Sequence, residues 1–61
     1  MPNVFIQTFE GRTVEEKRML AKKLTDVIVE VFKVDPEVVN IRFINVRKED
    51  LARGGRLLID R

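Results

Sequence analysis

The chain contains no cysteine, histidine, tryptophan or tyrosine. Without cysteine no disulfide can staple it, and without cysteine or histidine a zinc site loses its usual ligands. The same absences leave no side chain that titrates near neutrality. No tyrosine or tryptophan is present to stack on a base, and the net charge is only +2, from 12 basic and 10 acidic residues. Nucleic acid is therefore a poor fit as a partner. No apolar run approaches the ~18 residues of a membrane span. Asn3 to Phe9 is too short and too polar for the core of a signal peptide. The expectation is a cytoplasmic chain with no membrane partner.

The 61 residues make one domain, residues 1–61, and 44% of them are hydrophobic. A chain this small buries only about 60% of the surface it exposes when unfolded. Disulfides and metal are missing as supports, which leaves oligomerisation. Self-association is the expected way to hide the surplus apolar surface.

What the chain does have is Met1-Pro2. A small uncharged second residue permits removal of the methionine. Removal would leave Pro2 as a free secondary amine, and an α-amine titrates near ~7.7–8.0. Apolar surroundings or a nearby arginine would lower that value and supply a general base at neutral pH without any histidine.

Asn3 to Phe9 reads as a strand, with Val4 and Ile6 on one face and Phe5 and Phe9 on the other. Glu10-Gly11-Arg12 is a turn. Thr13-Val14-Glu15-Glu16 is a capping box, and it predicts a helix from Val14 to Phe32. Leu20, Leu24, Val27, Ile28 and Val31 form its apolar stripe. Asp35-Pro36 ends the helix and starts a short capped turn. Val38 to Val46 reads as a second strand, with Val39, Ile41 and Phe43 toward the helix and Asn40, Arg42 and Ile44 away from it. Strand, helix and strand with short links predict a parallel β-α-β unit. Gly54-Gly55 signals a hairpin, and Leu57-Leu58-Ile59 reads as an arm lying on a neighbouring subunit. The fold class is α+β: a small β-α-β subunit with a C-terminal hairpin or arm, assembled into an oligomer. Phe5, Phe9, Ile44 and Val46 would share an open sheet face, the kind of patch that marks an interface.

The Met1-Pro2 start, the turn Phe9-Glu10-Gly11-Arg12-Thr13, the helix and the late Gly54-Gly55 together resemble the 4-oxalocrotonate tautomerase family, over nearly the whole chain. The resemblance implies a homo-oligomer, often a hexamer, and an isomerase with no metal or organic cofactor. It implies that Pro2 is the general base for keto–enol proton transfer on unsaturated 2-keto acids. Arg12 matches an arginine that binds the remote carboxylate of the substrate. Two positions depart from the pattern. Asn40 stands where the family prototype has a second arginine supplied by a neighbouring subunit. Leu51 stands where the prototype lines its pocket with phenylalanine. Arg42, two residues beyond Asn40 on the same strand face, could replace the missing charge. Arg53 could do so too, and either residue could instead form intersubunit ion pairs. The alternatives to a tautomerase are a non-catalytic oligomeric module of the same fold and a related hydratase or dehalogenase.

Overall fold

The computed structural model describes residues 2–61. The expected removal of Met1 concerns a residue outside that range.

Strand β1, Asn3–Phe9, leads through Gly11 into helix α1, Val14–Phe32. Gly11 has φ +107°, in the left-handed region that favours glycine. The capping box closes as the sequence requires. The Glu16 amide donates to Thr13 Oγ1 at 3.1 Å, and the Thr13 amide donates to Glu16 Oε1 at 2.9 Å. The helix ends at Lys33, which takes a left-handed φ of 58° and donates its N–H to the Val29 carbonyl at 2.9 Å. Such a conformation costs a residue with a Cβ roughly 1 kcal/mol, so the helix stops there, two residues short of Asp35-Pro36.

Asp35 then caps a 3-10 turn, Pro36–Val38, by accepting from the Glu37 amide at 2.8 Å. That turn shortens the second strand relative to expectation. The N–H groups of Val38 and Val39 are spent on Asp35 and Pro36 carbonyls, so strand β2 runs from Asn40 to Val46 and not from Val38. Strands β1 and β2 pair in parallel, from Asn3 opposite Asn40 to Phe9 opposite Val46. A 3-10 turn, Lys48–Asp50, leads to a hairpin of β3, Ala52–Arg53, and β4, Arg56–Leu57. Gly54 and Gly55 supply the positive φ values of its turn, 62° and 82°.

The two sheet faces differ in cover. Val4, Ile6 and Thr8 of β1 and Ile41 and Phe43 of β2 lie half-buried on the helix side. Phe5 and Ile44 on the other side are 61% and 41% exposed. The predicted stripe of the helix is only partly right. Leu24 and Ile28 are half-buried, but Leu20, Val27 and Val31 are exposed. Two strands ~4.8 Å apart make a ribbon too narrow to cover a wide apolar arc. Val46 also departs from expectation. It lies on the open face by alternation, yet it is the one buried residue among those described. The returning chain covers it: Val46 shares a cleft with Leu51 and Arg53. The C-terminal arm likewise folds partly on its own chain. The Leu58 N–H donates to the Leu51 carbonyl at 2.9 Å, while Leu57 and Ile59 stay exposed.

The chain measures 44 × 23 × 13 Å with a radius of gyration of 15.0 Å. A compact domain of this length has a radius near ~10.5 Å. With a single buried residue among those described, the chain leaves most of its apolar surface uncovered.

Candidate active site

The candidate residues fall at two ends of the β1–β2 ribbon. At the first end lies Pro2, half-buried, its carbonyl accepting from the Asn40 N–H at 3.0 Å. This bond exists because the parallel register starts one residue later, at Asn3 opposite Asn40. Asn40 faces away from the helix, and its Nδ2 lies 3.5 Å from the Val38 carbonyl, at the limit of a hydrogen bond. Arg42 follows on the same face. Its guanidinium stands over the Phe5 ring, 5.5 Å from the centroid, a cation–π contact. Asn3, Val4, Phe5, Asn40, Ile41 and Arg42 line a hollow of about 130 Å³.

At the second end lies Arg12, in the turn that follows β1. Its Nη1 is 3.4 Å from Glu16 Oε2. Glu16 therefore joins two devices, closing the capping box with one oxygen and pairing with Arg12 through the other. Its carboxyl is held below the ordinary carboxylate range, first by the Thr13 backbone N–H and then, against a smaller opposing desolvation effect, by the Thr13 hydroxyl and the Arg12 charge. Thr8, Phe9, Arg12, Glu16, Lys17, Leu20 and Phe43 surround a cavity of about 500 Å³ between sheet and helix. Thr8 Oγ1, within this region, is buried without a hydrogen-bond partner. Leu51 and Arg53 line a cleft of about 220 Å³ on the opposite face of the same end, with Gln7, Phe9 and Val46.

A strand of seven residues spans roughly 23 Å at ~3.3 Å per residue. Pro2 and Arg12 of one chain are therefore far apart. The fold brings Asn40 to Pro2 and sets Arg42 two residues further along the same strand, opposite Phe5, and it brings Leu51 and Arg53 to the end that carries Arg12. It does not bring the two groups together within a chain. Two participants escaped the sequence reading. Phe5 backs Arg42, which the register of parallel strands implies. Glu16 holds Arg12, which the i, i+4 spacing implies.

These parts define a class: a small α+β subunit made of one parallel β-α-β unit and a hairpin, with ionic and amide side chains gathered at both ends of its two-stranded ribbon. The chain belongs to the tautomerase family, whose model, described as tautomerase enzyme, matches residues 2–61. It is similar to the 2-hydroxymuconate tautomerase of Bacillus subtilis, 35% identical over 60 residues, covering 98% of this chain and 97% of that protein. Its fold superimposes with a TM-score of 0.89 on the crystal structure of a 4-oxalocrotonate tautomerase homologue, 31% identical, covering 100% of this chain and 97% of the other. A heterohexameric 4-oxalocrotonate tautomerase from Chloroflexus aurantiacus matches with a TM-score of 0.82 and 27% identity, covering 98% and 97%. Among the described residues no helix is long and apolar enough to cross a membrane, and no cluster of carboxylates could hold a metal ion.

Proposed function

We propose that the chain is a cofactor-free tautomerase in which Pro2, freed by removal of Met1, is the general base. The observation that carries this reading is the Asn40 N–H bond to the Pro2 carbonyl at 3.0 Å. It pins the residue at the rim of the sheet through its carbonyl, which leaves the ring nitrogen available. Pro2 takes a proton from a carbon alpha or gamma to the carbonyl of an unsaturated 2-keto acid. It returns that proton at another position, so the reaction balances with no external acid or base. A neighbouring apolar surface disfavours the charged amine and keeps more of it as free base at neutral pH.

Arg12 serves the Pro2 of a neighbouring copy. Antiparallel packing of two copies sets the Arg12 end of one beside the Pro2 end of the other, as a two-fold interface allows. Leu51 and Arg53 travel with Arg12 and line the same shared site. There Arg12 stabilises negative charge that develops on the substrate. Exposed Phe5, Ile44, Val27 and Val31 supply the apolar surface for assembly, and a hexamer follows the precedent of the heterohexameric relative. Asn40 favours a second reading, a non-catalytic module of the same fold, because an amide polarises a keto acid less than a guanidinium does.

Ketonisation of phenylenolpyruvate by purified chain of known intact mass separates the two. Activity in chain that begins at Pro2 supports the tautomerase. Equal activity in chain that retains Met1, whose proline nitrogen is an amide, overturns the mechanism.

A further inference from the structure

Strand β1 reads NVFIQTF and strand β2 reads NIRFINV. Neither contains an aspartate or a glutamate, and Arg42 is the one charged residue on either. Arg12, Arg18 and Arg47 all have carboxylate partners within their own chain. Arg42 makes no ion pair among the described residues; its contact is the face of Phe5. The face that carries Arg42 also carries exposed Phe5 and Ile44, the surface that assembly covers. When two such faces meet, the strands of the second copy bring no carboxylate either, since they have the same sequence. A guanidinium enclosed without an anion is costly. The anion that completes it must come from beyond the strands.

Pro2 lies close by. Asn40, whose N–H holds the Pro2 carbonyl, precedes Arg42 by two residues on the same face. Two strand residues span about 6.6 Å, within the reach of an arginine side chain. The hollow that Arg42 lines with Asn3, Phe5 and Asn40 measures about 130 Å³. That is on the order of four waters, the size of a carboxylate with its adjacent carbonyl. The contact with the Phe5 ring uses none of the guanidinium's N–H groups as hydrogen-bond donors to oxygen, and they stay available for bidentate recognition of a carboxylate.

We propose that Arg42 binds the carboxylate next to the reacting carbonyl, and that it acts from the same chain as Pro2. The substrate class is then a 2-keto acid, or its enol, for which one carboxylate suffices. Arg12, already neutralised by Glu16, contributes from the neighbouring copy to the remote end of the substrate. Arg53 sits at the far end of its own chain's ribbon and cannot take the role of Arg42 in that chain. This proposal rests on the reading of Pro2 as the base.

The test compares phenylenolpyruvate with its methyl ester, which keeps the enol and loses the charge. Arg42→Met preserves most of the apolar stem on Phe5. It should lower kcat/KM for the acid about 10- to 150-fold, the range of a lost charged hydrogen bond, and leave the ester nearly unchanged. Arg42→Lys should recover part of the loss, and it remains the informative variant if Arg42→Met fails to assemble. Mixed oligomers locate the residue. Assayed on a dicarboxylic 2-keto acid, which needs Arg12 as well, Pro2→Ala chains mixed with Arg12→Ala chains should regain activity in about a quarter of sites on random symmetric assembly. Pro2→Ala chains mixed with Arg42→Met chains should regain none, because the two groups are needed on one chain. Unchanged rates on the acid, equal losses on acid and ester, or regained activity in the second mixture would each overturn the proposal. Full activity of Pro2→Ala alone would instead overturn the reading of Pro2.

Discussion

The two ends of the β1–β2 ribbon differ in how their charges are satisfied. At the Pro2 end one arginine, Arg42, stands over an aromatic ring with no carboxylate beside it. At the other end Arg12 is paired with Glu16, and Arg47 with Glu49 and Asp50. The second end is also tied down by backbone bonds, from Glu10 to Val46 at 3.3 Å and from Leu58 to Leu51 at 2.9 Å. It holds the buried Val46. One end is thus tied down and pairs Arg12 and Arg47, though not Arg53, and the other is open and carries an unpaired cation on the strand whose first residue holds the candidate base. In the proposed function each end supplies half a site, and a second copy completes it.

The largest effect should come from removing the base. Pro2→Ala keeps a primary α-amine but loses the secondary one and its rigid ring. General-base catalysis contributes typically ~10²–10⁴-fold, so kcat/KM should fall by up to that range while circular dichroism stays unchanged. A full-rate Pro2→Ala enzyme would erase the functional difference between the two ends.

Next in size is the open face. Ile44→Lys places a second cation beside Arg42, amid Phe5 and the apolar surface proposed to be covered. Burying an unpaired ammonium costs several kcal/mol, enough to split an assembly into smaller species by sedimentation at micromolar concentration. Because Arg12 would then be withdrawn from Pro2, activity should disappear with assembly. Intact assembly in this variant would place the interface elsewhere.

Arg12→Ala should separate activity from stability. An exposed ion pair such as Arg12–Glu16, whose side chains are 64% and 52% exposed, contributes under ~1 kcal/mol. The melting temperature should barely move. Turnover of a dicarboxylic keto acid should fall about 10-fold or more, and turnover of phenylenolpyruvate less. Equal losses on both substrates would remove the remote carboxylate from the role of Arg12.

These expectations draw on parts of the chain that were unequally legible. Strand β1, helix α1, the capped Asp35-Pro36 turn and the Gly54-Gly55 hairpin could be read in advance because each rests on a local signal a few residues long. The start of β2 could not, since the turn after Pro36 consumes two amides that alternation alone assigns to a strand. The wide apolar arc of the helix was legible, but which part of it meets the sheet depends on the width of a two-stranded ribbon. Burial of Val46 depends on the path of the returning chain, which has no local sequence signal. The same division holds for the site. Asn40 and Arg42 follow from alternation within one strand. The separation of Pro2 from Arg12 follows from strand length, and the positions of Leu51 and Arg53 follow from the return path.

A smaller effect tests how firmly the second end is built. Thr13→Ala removes the hydroxyl that accepts the Glu16 amide at 3.1 Å. Loss of such a cap costs typically ~1 kcal/mol, and thermal melting should show it as a drop of a few degrees. Since the cap lies at the Arg12 end, the Pro2 end should keep its backbone bond to Asn40. No change in melting would mean that assembly, not the cap, fixes the helix start.

The smallest effect is a pH dependence at Glu16. Its carboxyl is held below the ordinary range chiefly by the Thr13 backbone N–H, with the Arg12 charge contributing. A group whose folded-state value is depressed stabilises the fold above its unfolded value, near ~4.3 for glutamate, and the contribution is lost as pH falls through the lower folded value. Glu16→Gln keeps an amide oxygen that can accept from the Thr13 N–H, but it has no charge to lose and none to offer Arg12. Wild type should therefore be slightly the more stable at pH 6, and its advantage over Glu16→Gln should shrink as pH drops below 4. The other nine acidic residues are common to both chains, so their titration cancels in the difference. An advantage that stays constant from pH 6 to pH 3 would show that hydrogen-bond geometry alone holds the helix start. Arg12 would then owe its position to the Gly11 turn, and the contrast between the two ends would rest on Arg42 alone.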